Sequence, residues 1–213
     1  MTVQETIAQR NRLLGASVVR ALEARHFVAA YFETGEDAVR AAVERIPAAA
    51  SVTFGGSMTV QSLGLPARLA EKGCHVYDRH SVPRADLDEF QKAHYFSDWY
   101  LASANAISED GILFNMDGTG NRVASMIYGP RHVLLLVGMN KVVHDSAAAV
   151  QRVRTLAAPT NAQRFCRETP CAKTGRCGDC RGTDSICCTL TAMRLCRPAG
   201  RTHIYLFGES AGF

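Results

Sequence analysis

The run Val133-Leu134-Leu135-Leu136-Val137 constrains this chain more than any other stretch. Consecutive branched apolar residues without polar alternation describe a strand buried on both faces, as in the middle of a parallel sheet. A strand of that kind needs crossover connections around it, most often helices. The rest of the chain supplies them. Residues 3–25 place Ile7, Leu14, Val18 and Leu22 on one helical face. Residues 27–32 read as a strand, 37–45 as a helix ending before Pro47, 51–54 as a strand, 65–72 as a helix with Pro66 in its first turn, and 74–77 as a strand. Residues 86–94 are helical, 99–106 and 112–115 are strands around the turn Glu109-Asp110-Gly111, and 121–126 form a short helix. After the 132–137 strand, residues 146–156 form a helix stopped near Pro159, and 202–207 return to strand character. The expected fold class is α/β, a mostly parallel sheet with helices on both faces.

The 213 residues suffice to bury a sizeable core, and no internal repeat or long linker divides them. One domain over residues 1–213 is expected, with residues 161–197 as a cysteine-rich insertion before the last strand. No apolar run approaches the roughly 18–20 residues that span a bilayer. Residues 1–12 lack the apolar stretch of a secretory signal, so a cytoplasmic protein without a membrane segment is expected. Net charge is +4. Residues 1–160 carry 16 side chains of each sign, so the whole excess lies in residues 161–213, interleaved with cysteines. That interleaving favours a counter-charge for thiolates or an anionic cluster over a nucleic-acid patch, with a solvated basic face as the plain alternative.

Seven of the eight cysteines fall between Cys166 and Cys196, spaced C-x4-C-x5-C-x2-C-x6-C-C-x7-C. In Cys177-Gly178-Asp179-Cys180 the two-residue spacing lets both sulfurs face one ion while Gly178 eases the turn. A disulfide framework needs an oxidising compartment. A thioredoxin-like pair belongs at a strand-to-helix junction and not in a Gly/Thr/Arg loop. A metal centre fits better, since four thiolates suit zinc or an iron–sulfur cluster, in particular a 4Fe-4S cluster. With one Cys-x2-Cys pair and no His between 145 and 202, the spacing leans toward the cluster. The candidate ligands are Cys171, Cys177, Cys180 and Cys187, with Cys166 in reserve. Cys188 and Cys196 read as small apolar residues near the last strand, and Cys74 as a core residue.

Three loops carry the remaining polar chemistry. Gly55-Gly56-Ser57, between a strand and a helix, has the form of an anion cradle, although a tight turn needs glycine anyway. Asn105, Glu109, Asp117, Gly118, Thr119, Gly120, Asn121 and Arg122 crowd two adjacent strand ends, where open α/β sheets place ligands. A carboxylate, amides and an arginine there suit a carboxylate or phosphate substrate. Gly138-Met139-Asn140-Lys141 follows the most buried strand and offers Asn140 and Lys141 as anion partners. Asp110-Gly111 and Asn121 also have plain readings, as a turn and a helix cap.

These same residues, with Thr169-Pro170-Cys171, Thr174-Gly175, Cys177 and Cys180, resemble the lactate-utilisation (LUD) domain family. That family includes lactate-utilisation protein C and cysteine-tailed stand-alone members. The resemblance runs over nearly the whole chain. It implies a fold like the NagB/RpiA/CoA-transferase group, with a crevice at strand ends, and an association with oxidation of L-lactate or a related organic acid. CoA transferases of that group use a glutamate nucleophile, which makes Glu109 the candidate catalytic residue here. Cysteine-tailed relatives tend to carry Ser-Pro-x-Arg-Ile-Cys-Asn, whereas this chain has Thr183-Asp184-Ser185-Ile186-Cys187-Cys188. The expected roles are an accessory iron–sulfur or zinc protein with a redox partner, or an enzyme or binding protein for a small anionic metabolite of phosphate or acyl-CoA type. Neither nucleic acid nor membrane is an expected partner, and self-association is left open.

Overall fold

The 133–137 run lies within the strand His132–Gly138, which is hydrogen-bonded to a parallel strand on each side. Leu134 and Leu136 enter one hydrophobic core, while Val133, Leu135 and Val137 enter another. That alternation is the two-residue period of a strand covered on both faces. Burying each such side chain stabilises the fold by about 1.5–3 kcal/mol.

The structure is a computed structural model and describes residues 1–213, the side chain of His80 excepted. In chain order its elements are α1 (Val3–Ala24), β1 (Val28–Phe32), α2 (Gly35–Arg45), β2 (Ser51–Phe54), α3 (Met58–Ser62), α4 (Leu65–Glu71) and β3 (His75–Tyr77). There follow α5 (Leu87–Ala93), β4 (Trp99–Ala102), β5 (Ala106–Ser108), β6 (Leu113–Asp117), α6 (Asn121–Ile127), β7 (His132–Gly138) and β8 (Val142–Val143). The last are α7 (Ser146–Arg152), α8 (Ala158–Arg164), α9 (Pro170–Thr174), β9 (Thr189–Met193) and β10 (Thr202–Phe207). Six strands form a parallel sheet in the order β1-β10-β7-β4-β2-β3. The α/β class with a mostly parallel sheet is thus the observed one. No helix is long and apolar enough to cross a membrane.

On one face, Val39 and Ala42 of α2 and Leu65 and Leu69 of α4 pack against the sheet. On the other, Val18 and Leu22 of α1 and Met126 of α6 do so, together with Ile107 and Leu113. Those last two belong to a second sheet, ordered β8-β5-β6-β9. Phe114 of that sheet packs in turn against Ala149 of α7.

Four sequence expectations need correction. Residues 99–106 are not one strand: the chain leaves the large sheet after Ala102 and enters the small one at Ala106. Ile7 is 54% exposed, as the whole of residues 1–10 is exposed and burial along α1 starts at Asn11. Pro159 does not stop its helix. Between α7 and α8 the backbone widens into a π turn (Val153–Ala157), and Pro159 sits at the start of α8. There its missing N–H disrupts no regular α-helical ladder. Cys188 is exposed, whereas Cys196 and Cys74 are buried as expected.

Candidate functional site

All six parallel strands end at one edge, so the segments that follow them meet there. These are Gly55-Gly56-Ser57 after β2, Ser103 after β4, Met139-Asn140-Lys141 after β7 and the tail from Gly208 after β10. Lys141 lies at the centre and is 2% exposed. Its Nζ donates to Thr59 Oγ1 at 2.9 Å and to Ser103 Oγ at 3.0 Å. Both hydroxyls are free to accept because each donates elsewhere, Thr59 to the Ala211 carbonyl and Ser103 to the Ala104 carbonyl. No carboxylate pairs with Lys141 among the described residues. Burial first, then the charges of Arg152 and Arg122, push its ammonium down to about 7.

The tail closes over this amine. Asn140 holds it with both ends of its side-chain amide: Nδ2 donates to the Gly212 carbonyl and Oδ1 accepts from the Ala211 N–H, each at 3.2 Å. Gly212 has φ +60°, and a Cβ there would lie 2.5 Å from Thr59 Oγ1 and 3.3 Å from Lys141 Nζ. Only glycine both adopts that backbone and leaves room for the lysine.

Arginines surround the same edge. Arg122 donates to Asn115 Oδ1 (2.8 Å), Asn105 Oδ1 (3.1 Å), the Met116 carbonyl (2.6 Å) and the Ser103 carbonyl (3.5 Å). It therefore knits the two strand ends together. Arg152, 8% exposed, donates to the carbonyls of Asn140 and Asn105. Its Nη2 is buried without an acceptor, as is Asn115 Nδ2. Arg164 reaches the Gly56 carbonyl at 3.2 Å. Arg79 bears electrostatically on Arg164 and on Tyr100. Tyr100 is wholly buried beside Gly55, and burial pushes its phenol up to about 12. None of these cations has a carboxylate ion pair among the described residues. A cavity of about 310 Å³, lined by Tyr77, Arg79, Phe90, Tyr95, Tyr100 and Asn121, opens beside Gly55.

The sequence-derived candidates divide. Asn105, Arg122, Asn140 and Lys141 meet at this edge, and Gly55, Gly56 and Ser57 border it. Ser57 accepts from the Val60 N–H as the cap of α3, but that helix has five residues and aligns few peptide dipoles. Asp117 is occupied: Oδ1 accepts from the Gly118 N–H and Oδ2 from the Val123 N–H, fixing the turn into α6. Gly118 passes close to Ile186, and Gly120 takes the left-handed conformation that starts α6. Thr119 donates to Asn121, which donates to Gln91 on α5. Glu109 is not brought to the crevice. It follows β5 while Asn105 precedes it, a separation of roughly 13 Å along an extended chain. Its carboxylate pairs with His144 at 3.5 Å.

In the cysteine segment, Cys171 is buried in α9 with Thr169 Oγ1 3.3 Å from its sulfur. Cys187 is half-buried. Burial, and then the neighbouring Cys171, Cys177, Cys180 and Cys188, push its thiol up to about 11. Cys166 is exposed and is not among those neighbours. Arg154, in the π turn, donates to Asp179 at 2.8 Å and lies 3.8 Å from Cys177 Sγ. The donor set suits a soft metal. The sulfurs are nevertheless not drawn together: no three of the described His, Cys, Asp and Glu side chains stand where they could hold a metal ion. The basic excess of residues 161–213 is also only partly a counter-charge to thiolates. Arg201 is buried and donates to the carbonyls of Ser125, Met126, Ile127 and Pro130, closing the end of α6.

The LUD domain model matches residues 16–207. The chain belongs to the LUD domain family. A DUF162 family protein from Deinococcus radiodurans, solved by crystallography, is similar to this LUD domain over 92% of this chain and 97% of its own. Its TM-score is 0.55 and its identity 11%, a likeness of fold alone. Ribose 5-phosphate isomerase A from Methanocaldococcus jannaschii matches 53% of this chain and 55% of its own, at TM-score 0.36 and 17% identity. No curated protein matches the sequence.

Sequence reasoning missed Thr59, Tyr100, Ser103, Arg79, Arg152 and Arg164 as parts of this LUD domain's crevice. One signal was available. Arg152 stands between Ala149 and Val153, on the face of the helix that enters the core. A cation on an apolar helical face needs a polar destination.

Proposed function

We propose that this LUD domain binds and acts on a small anionic metabolite, of phosphate or acyl-CoA type, in the crevice at the strand ends. One observation carries the reading. Arg79, Arg122, Lys141, Arg152 and Arg164 gather there with no carboxylate ion pair among the described residues, and two buried donors of the cluster lack acceptors. Concentrated like charge in a half-enclosed site raises the local concentration of anions. Buried donors left open are satisfied by whatever ligand brings acceptors. The neighbouring aromatic cavity offers room for a less polar portion of the ligand.

The reading is tested with inorganic phosphate and coenzyme A by calorimetry and thermal shift. Either ligand should raise the melting temperature, and Arg164→Ala and Arg79→Ala should each weaken binding about tenfold, as loss of a charged hydrogen bond does. Unchanged affinity in both variants would sink the proposal.

A second reading makes residues 161–197 a soft-metal centre, an iron–sulfur cluster or zinc. A cluster would serve electron transfer with a partner protein in oxidation of lactate or a related organic acid. It is favoured by the soft-donor chemistry of Cys171, Cys177, Cys180, Cys187 and Cys188, whose charges bear on one another at Cys187 although the sulfurs do not stand as a ligand set. Those residues would hold the metal. A cluster would supply one-electron transfer, whereas zinc would fasten the segment. Iron, sulfide and zinc analysis of anaerobically purified protein, with a visible spectrum, separates these outcomes; absence of all three would reject the reading.

A further inference from the structure

The chain has four lysines, and three of them face groups that favour an ammonium ion. Lys92 pairs with Asp88 and Glu89. Lys173 pairs with Glu168. Lys72 donates to the carbonyls of Val43, Glu44 and Ile46. Lys141 alone faces two hydroxyls, with no carboxylate partner among the described residues and with two guanidinium groups nearby.

The two hydrogen bonds to Thr59 and Ser103 use both N–H bonds of a neutral amine. The amine's electron pair is left over, and the tail passes it at Gly212, which has no side chain to fill the space. The surroundings favour the neutral form, which is the nucleophilic one. Arg152 adds a buried guanidinium nitrogen without an acceptor, next to the Asn140 and Asn105 carbonyls it already holds.

We infer that Lys141 is a nucleophile that forms an imine with a small carbonyl compound carrying an anionic group, the anion resting on the surrounding arginines. The inference rests on the anion-binding reading of the crevice and names the reactive group of its ligand. In the step, the electron pair of Nζ adds to the carbonyl carbon and a C–N bond forms. The π pair of the C=O bond moves to oxygen, which takes up a proton. Nitrogen then loses one proton and the new hydroxyl takes up a second. The C–O bond breaks and water leaves as the nitrogen electron pair forms C=N, and the resulting iminium gives up its last N–H proton. Thr59 and Ser103, both on Nζ, are placed to relay these protons. The tail must lift for entry; Asn140 fastens it with two hydrogen bonds, beside one from Thr59 to the Ala211 carbonyl and one from the Gly35 N–H to Glu209.

The test uses the full chain, pyruvate and glycolaldehyde phosphate as probes, and borohydride to reduce the imine to a secondary amine. Each trapped molecule adds the mass of the carbonyl compound less one oxygen atom. Peptide mapping across the four lysines should find Lys141 modified on the order of tenfold more than Lys72, Lys92 or Lys173. Asn140→Ala should speed the reaction, and Lys141→Arg should remove it. Which probe reacts distinguishes a carboxylate from a phosphate as the anionic group. Labelling at Lys141 no greater than at the other lysines, in both the natural chain and Asn140→Ala, overturns the inference. Competition by inorganic phosphate separates the two claims. If phosphate binds but no adduct forms on Lys141, the imine fails and the anion site stands. If an adduct forms that phosphate does not suppress, the imine stands and the anion site fails.

Discussion

At the scale of the residue, Lys141 is unusual because two hydroxyls, and no carboxylate among the described residues, face its buried amine, so the cost of burying a charge is only partly offset. That cost gives stability a pH dependence of definite sign. Below about 7, the lysine is charged in folded and unfolded chains alike, and the folded state bears the whole penalty. Above its ordinary value of 10.5, it is neutral in both, and the penalty is gone. In between, the unfolded chain holds a proton that the folded chain has released, so stability rises with pH. Arg152 and Arg122 are the charges bearing on the amine. Lys141→Met removes the effect. Urea unfolding should therefore show the natural chain gaining on the variant as pH rises from about 7 toward 10, by at most about 1.4 kcal/mol per pH unit. A difference that is flat with pH would mean that the amine is solvated or paired.

At the scale of the element, the tail after β10 is a largely exposed strap, with Ala211 packed against the core beneath it. Glu209, Ser210 and Gly212 are exposed, while the Lys141 and Thr59 beneath are buried. Asn140→Ala removes two of its side-chain fastenings and leaves those of Thr59 on the Ala211 carbonyl and of Glu209 on the Gly35 N–H. Hydrogen exchange should accelerate on the tail, and peptides from β10 and β7 should keep their protection, since opening is local. Equal acceleration in β10 would show the strap to be continuous with the sheet. The same division explains what the sequence made legible. β7 and β10 could be read because burial on both faces leaves an unbroken apolar run. β9 could not: Thr189–Met193 is a short, largely exposed edge strand without a continuous apolar run. The second sheet was hidden for the same reason, its strands being short and its pairings set by tertiary packing. In the site, Asn140 and Lys141 stood out as polar residues directly after a buried strand. Thr59 and Ser103 did not, since a hydroxyl in a short helix or at a strand end has many ordinary roles. Glu109 was misplaced because closeness in sequence hid the length of β5 between it and Asn105.

At the scale of the molecule, the crevice and the cysteine segment are held by different means. The crevice rests on strand ends whose side chains are buried in two cores. Residues 175–186 have no such anchor. The loop is mostly exposed and is tied down by Arg154 at Asp179 and, just beyond it, by the Cys188 N–H on the Asp117 carbonyl. A segment with so little apolar burial owes its order to cross-links or metal if it has any. Arg176 and Arg181 lie within it, so trypsin should cut there first in metal-free protein. Loading with zinc or reconstitution of an iron–sulfur cluster should slow that cleavage by about tenfold or more, as ligand binding closes the open state. Cleavage indifferent to metal would remove the case for a metal-organised segment. The nicked chain then decides how far the two parts depend on each other. All five crevice cations, Arg79, Arg122, Lys141, Arg152 and Arg164, lie outside the cut loop. Arg152 and Arg154 share the widened helix, yet the crevice contacts of Arg152 are to Asn105 and Asn140 and none is to the loop. Phosphate affinity should consequently stay within about twofold after nicking, the additivity expected of separate sites. A larger loss would mean that the cysteine segment holds the crevice in shape, and the two proposals would then describe one site.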